Sequence, residues 1–174
     1  MTILEPGQTA FIPKPTGRFM LSHPAHWLAQ GFGSGLSPWL PGTTGTLFGW
    51  ISFVLLTGRW PDFFTTQNWL AILVIGFLVG IWACNVTGRN LGIADHGSMV
   101  WDEIIAFWLV LLFIMPAGFW AQLAAFVIFR FFDMVKPPPI AYFDRHLKGG
   151  FGVMFDDLIA SFYTLLIFAF WQIL

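Results

Sequence analysis

Four stretches of this chain carry no formal charge: Trp27–Gly58, Phe63–Gly88, Ile104–Phe129 and Leu158–Leu174. A membrane-spanning helix needs about 20 apolar residues, and uncharged runs of that order fit poorly into a soluble domain. Only 10% of the residues are charged and 57% are hydrophobic, whereas ordinary soluble domains carry about 25% charged residues. Disorder is excluded, because it requires low hydrophobicity and high net charge. The expected fold class is all-α: a compact helical membrane protein with about two to four membrane-embedded helices plus a short helical hairpin.

The windows differ in quality. Gly31, Gly33, Gly35, Pro38, Pro41 and Gly42 break the first, so its helix is expected over Thr46–Thr57. The second, centred on Trp69–Cys84, is the cleanest span, and the last is marginally long enough. The third holds Pro116-Ala117-Gly118 at its middle. Proline removes a helical hydrogen bond and glycine loosens the chain beside it. The window is therefore one kinked span or two short helices in a hairpin.

Charge separates these two readings. One span, with the N-terminus inside, leaves Lys14, Arg18 and Arg89 inside and Arg59, Arg130, Lys136, Arg145 and Lys148 outside. That opposes the positive-inside bias. A hairpin leaves Arg59 alone outside and brings loops 89–103 and 130–157 to one face. The hairpin is the preferred reading. Halves of about 12 residues reach only ~18 Å, so they are expected buried in protein or shallow in the bilayer.

Residues 1–26 hold Glu5 and the prolines 6, 13, 15 and 24, with no long apolar run. They read as an irregular arm without a secretory signal, and 27–174 as a single helical domain. With 8 Lys+Arg against 9 Asp+Glu, no basic excess exists to hold a nucleic-acid backbone. Cys84 is the single cysteine, so an internal disulfide and a multi-cysteine metal site are excluded.

Seven of the nine carboxylates fall between 95 and 157: Asp95, Asp102, Glu103, Asp133, Asp144, Asp156 and Asp157. Carboxylates beside membrane segments usually face an interior, a metal or a partner. Asp102-Glu103 opens the apolar run at Ile104. The plainer reading is two acids favoured by the helix dipole; the functional one is a Mg²⁺ site using one acid directly and one through water. Arg130, Asp133 and Lys136 stand at i, i+3 and i+6 before three prolines. They are either a surface ion pair or a metal-binding acid flanked by phosphate-holding cations. Gly149-Gly150-Phe151-Gly152 leads to Asp156-Asp157, read either as N-capping acids or as further ligands. Pro41-Gly42-Thr43-Thr44-Gly45-Thr46 precedes a helix and could offer backbone N–H groups to phosphate. It is not a Walker A loop. His96, in Asp95-His96-Gly97-Ser98, reads as a local loop hydrogen bond rather than a catalytic group. No Gly-x-Ser-x-Gly elbow is present.

Taken in order, these blocks resemble the phosphatidylglycerophosphatase A family. They are Gly31–Pro38, Pro41–Thr46, Asp95–Glu103, Phe129–Pro137, Phe143–Arg145 and Gly149–Asp157. The resemblance implies a Mg²⁺-dependent lipid phosphatase of the bacterial inner membrane. Its implied reaction is removal of the terminal phosphate from phosphatidylglycerophosphate, yielding phosphatidylglycerol. On the residues, Asp102, Glu103, Asp133, Asp156 and Asp157 are the expected metal ligands. Glu103, Asp133 and Asp156 are also the expected catalytic acids. Arg130, Lys136 and Arg145, with Thr43 and Thr44, are the expected phosphate contacts. The headgroup would enter from the cytoplasmic face while the acyl chains stay in lipid. Two rivals stand beside this: a small transporter or channel using the acids as an ion path, and a structural subunit of a membrane complex.

Overall fold

The computed structural model describes residues 14–173, and among these there is no strand. Eight α-helices follow in order: α1 (Gly17–Leu21), α2 (Pro24–Ala29), α3 (Pro41–Arg59), α4 (Thr66–Leu91), α5 (Trp101–Ile114), α6 (Phe119–Val135), α7 (Ile140–His146) and α8 (Gly149–Ile173). A 3-10 turn at Gly31–Leu36 links α2 to α3.

The N-terminal arm is not irregular where it is described, and its first 13 residues lie outside the described ones. Thr16 caps α1 by accepting from the Phe19 N–H. His23 caps α2 by accepting from the Ala25 N–H, with Pro24 preset for the first helical turn. His26 is buried and holds α2 to α4, its Nε2 lying 2.9 Å from Asn90 Nδ2. A short segment rich in proline and histidine lacks visible periodicity, and its order comes from caps and tertiary contacts.

The helix of the first window begins at Pro41 rather than Thr46. Gly42 reads as a breaker and Gly45 as part of a turn before the helix, yet with Gly49 they line one helical face, at i, i+3 and i+7. A Cβ on Gly45 would stand 2.5 Å from the Val100 Cβ, and one on Gly49 3.3 Å from the Ile104 Cα. Tertiary contact with α5 requires what propensity disfavours.

α5 and α6 are the two arms of a hairpin turned at Met115–Gly118. The Phe107 ring centroid lies 5.8 Å from that of Phe126 and 5.6 Å from that of Phe129. At the open end, Glu103 reaches Arg130 at 3.1 Å, which a single kinked span would forbid. α5 is apolar on every side after its first turn. It is sheathed by α3, α4, α6 and α8, with Ile104, Phe107, Val110 and Leu111 fully buried.

Among the described residues, α4 and α8 are long and apolar enough to cross a membrane. α4 is ~39 Å long at 1.5 Å per residue and exposes Val74, Ile75 and Leu78 on its outer face. Phe53 of α3 stacks on Trp69 of α4, centroids 4.4 Å apart, and Trp69 Nε1 donates to Thr57 Oγ1 at 3.1 Å, tying the end of α3 to the start of α4. α8 crosses α4 through glycines. A Cβ on Gly150 would meet the Ile81 carbonyl oxygen at 2.1 Å, and one on Gly80 the Met154 sulfur at 2.6 Å.

Candidate active site

The acids gather where α5 begins, α6 ends and α8 completes its second turn. Asp102 and Glu103 occupy the first turn of α5, where the helix dipole favours negative charge. Both are buried, as are Asp156 and Asp157. The latter pair does not cap α8. The helix starts at Gly149, so the acids lie about two turns inside it. Gly149-Gly150-Phe151-Gly152 is the first turn of that helix and not a loop, because its glycines let α8 press on α4.

One carboxylate oxygen from each of Glu103, Asp133 and Asp157 falls in a group within 4.8 Å of one another. Three helices thus each contribute one acid to one point. Two of these acids keep a buried oxygen, Glu103 Oε2 and Asp157 Oδ2, that accepts no hydrogen bond. A buried acceptor without a donor costs on the order of 1–3 kcal/mol. Hard divalent cations take oxygen ligands of this kind. The three residues therefore fit a divalent metal on chemistry as well as distance.

Arg130 sits against two of the three. Its Nη1 donates to Glu103 Oε1 at 3.1 Å and closely to Asp133 Oδ2, with Thr46 Oγ1 at 3.4 Å. The guanidinium is only 13% exposed, so it holds both acids from the protein side. Lys136 ends α6 in a left-handed conformation, φ 45°. Its Nζ lies 2.5 Å from Asp156 Oδ2 and its side chain is 27% exposed, twice as open as Arg130. Asp156 Oδ1 also accepts from the Asp157 N–H at 3.1 Å.

The expected site residues thus divide. Glu103, Asp133 and Asp157 form the triad. Asp156 stands beside it with Lys136. Asp102 is buried with Oδ1 unpartnered, outside the triad. The described contacts do not bring Arg145 to the acids; it is exposed in the last turn of α7. Thr43 and Thr44 lie in the first turn of α3. Thr44 Oγ1 shares its proton between two backbone oxygens, that of Ser34 in the 3-10 turn at 2.8 Å and that of Pro41 in its own first turn at 2.7 Å. Thr46, not proposed from sequence, is the threonine facing Arg130. The signal was present: Gly42, Gly45 and Gly49 define the α3 face turned to α5, and Thr46 borders it. A Cβ on Gly42 would stand 2.1 Å from Glu103 Oε1 and 2.8 Å from Arg130 Nη2. His96 makes the local contact expected of it, its Nδ1 accepting from the Ser98 N–H at 3.1 Å. Burial lowers the pKa of its imidazole against the opposing pull of Asp95.

The profile of the phosphatidylglycerophosphatase A family matches residues 27–172. A phosphatidylglycerophosphatase A of Escherichia coli (strain K12) is 44% identical over 145 residues, covering 83% of this chain and 81% of that protein. One from Haemophilus influenzae is 42% identical over 153 residues, covering 88% and 91%. A Bacteroides thetaiotaomicron protein named as a candidate phosphatidylinositol-3-phosphatase is 38% identical over 146 residues, covering 82% and 89%. No solved structure matches the chain.

Proposed function

The chain belongs to the phosphatidylglycerophosphatase A family and is a phosphatase, and from that premise we propose that it cleaves the terminal phosphate from phosphatidylglycerophosphate. The products are phosphatidylglycerol and inorganic phosphate, and the cation is Mg²⁺. The observation that carries this reading is the Glu103–Asp133–Asp157 triad, with two buried unpartnered oxygens and two cations at its edge. Transporter and subunit readings do not account for membership of an enzyme family.

Glu103, Asp133 and Asp157 would hold the cation. When bound, Mg²⁺ supplies Lewis-acid polarisation of the phosphoryl group. Arg130 positions Glu103 and Asp133 and offsets part of their mutual repulsion. Lys136, the more open cation, receives the non-bridging phosphate oxygens. Hydrolysis joins a water oxygen to phosphorus and breaks the phosphorus–oxygen bond to the lipid. Asp156, beside Lys136 and outside the triad, takes the proton from that water. The lipid oxygen leaves as the hydroxyl of the product, its proton delivered through the Lys136–Asp156 pair.

The site opens on the cytoplasmic face of a bacterial inner membrane. Lys14, Arg18, Arg89, Arg145 and Lys148 flank the acid end, and Arg59 ends α3 at the other. This distribution follows the positive-inside bias.

The test is phosphate release by the detergent-purified protein, with Mg²⁺ or with chelator, for wild type and Asp133→Asn. Release that requires both the metal and Asp133, in a variant with wild-type unfolding temperature, is the expected result. Folded wild type that releases no phosphate with Mg²⁺ sinks the assignment. Phosphatidylinositol 3-phosphate, run in parallel, decides the headgroup; preference for it moves the substrate to that lipid.

A further inference from the structure

A groove of about 390 Å³ runs between α6 and α8, on the hairpin-turn side of the acids. Ala117, Ala121, Ala124 and Ile128 line one wall, and Phe168 and Trp171 the other. Ala121, Ala124 and Ile128 are spaced i, i+3 and i+7 on one face of α6, where the two alanines leave the space; Trp120 also lines the groove. Pro116 closes the far end, where the hairpin turns. The lining offers no charged group to a ligand.

Its two walls are the helices that carry the site. α6 leads from Ile128 to Asp133 over ~7.5 Å at 1.5 Å per residue. α8 leads from Phe168 back to Asp157. One turn on from Ile128 stands Phe132, ring centroid 5.3 Å from that of Tyr163, whose hydroxyl donates to the Pro138 oxygen at 3.1 Å. The order along the two helices is therefore apolar groove, aromatic pair with one polar tip, then cations and acids. A glycerophospholipid presents the same order: acyl chain, ester-linked glycerol, phosphate.

We propose that this groove is a binding site for one acyl chain of the substrate, which sets the depth at which the terminal phosphate meets Lys136 and the acid triad. The proposal rests on the phosphatase reading above. It adds a source of specificity, because binding energy gained along the chain is used to position a distant reacting group. A lipid phosphate with long chains should be turned over far better than a short-chain analogue with the same headgroup.

The experiment compares kcat/KM for long-chain and short-chain phosphatidylglycerophosphate in mixed micelles, for wild type, Ala124→Trp and Ile75→Trp. Ile75 is on the exposed face of α4, away from the groove, and controls for a bulky residue in the lipid-facing surface. Wild type and Ile75→Trp should share one long-to-short ratio. In Ala124→Trp that ratio should fall about tenfold, the loss expected when two buried methylenes are displaced. An unchanged ratio in a folded Ala124→Trp overturns the groove.

Should Ala124→Trp fail to fold, wild type answers alone. A long-chain substrate with a photoreactive group in its acyl tail is cross-linked and the labelled peptides mapped. Label concentrated on 117–128 and 168–171 supports the site; label spread evenly over α4 and the other exposed helices overturns it. Absence of phosphate release from either chain length would instead remove the phosphatase reading, a result separate from both of these.

Discussion

The two ends of the α5–α6 hairpin bury polar groups in opposite ways. At the turn, Gln122 is 9% exposed and fully engaged. Its Oε1 accepts from Trp50 Nε1 at 2.6 Å, and its Nε2 donates to the Ala117 oxygen at 2.7 Å. At the open end, Glu103 Oε2, Asp102 Oδ1, Asp157 Oδ2 and Arg130 Nε are buried with no partner. Polar burial that is complete ties a fold together; polar burial left incomplete stores binding capacity. The same hairpin uses one end to fix its turn and the other to receive a ligand.

That contrast can be broken by substitution. Asp157→Asn should lower kcat/KM at least ~100-fold, the order seen when one group stabilising developing charge is lost. Its unfolding temperature in metal-free detergent should hold or rise, because a buried like charge is gone. A fall in both together would make Asp157 a structural residue. Gln122→Leu should do the reverse. It strands the Trp50 N–H and costs about 1–3 kcal/mol of stability, read as a lower unfolding temperature with kcat/KM within about twofold of wild type. An activity loss without a stability loss would erase the difference between the two ends. The smallest expected effect is that of Thr44→Val, which removes a hydroxyl bonded only to backbone oxygens of its own turn and of the preceding 3-10 turn, and should cost ~1 kcal/mol. A kcat/KM loss larger than its stability loss would return Thr44 to the phosphate.

The acids were visible in the sequence because an apolar chain cannot scatter charges at random. Positions 102, 103, 133, 156 and 157 stood out without any structure. The hairpin was visible too, through Pro116 and the basic residues that a single span would have placed on the wrong side. What the sequence hid was rotational phase. Neighbours on a helix point 100° apart, so Asp157 enters the triad while Asp156 turns to Lys136, and nothing in the pair announces which. Thr43, Thr44 and Thr46 are separated in the same way. The starts of α3 and α8 were hidden for another reason. Their glycines look like breaks until the neighbouring helix that demands them is in place. In α1 and α2 the order depends on His26 reaching Asn90 across the fold, a contact no local pattern encodes.

Gly42 carries no charge, donates no side-chain hydrogen bond and would be passed over in any inventory of chemistry. Yet one methyl group added there would occupy the place of the Glu103 carboxylate, 2.1 Å from its Oε1. In a random mutagenesis screen this position should therefore score with the acids, and the screen would report as indispensable a residue whose whole contribution is the space it leaves empty.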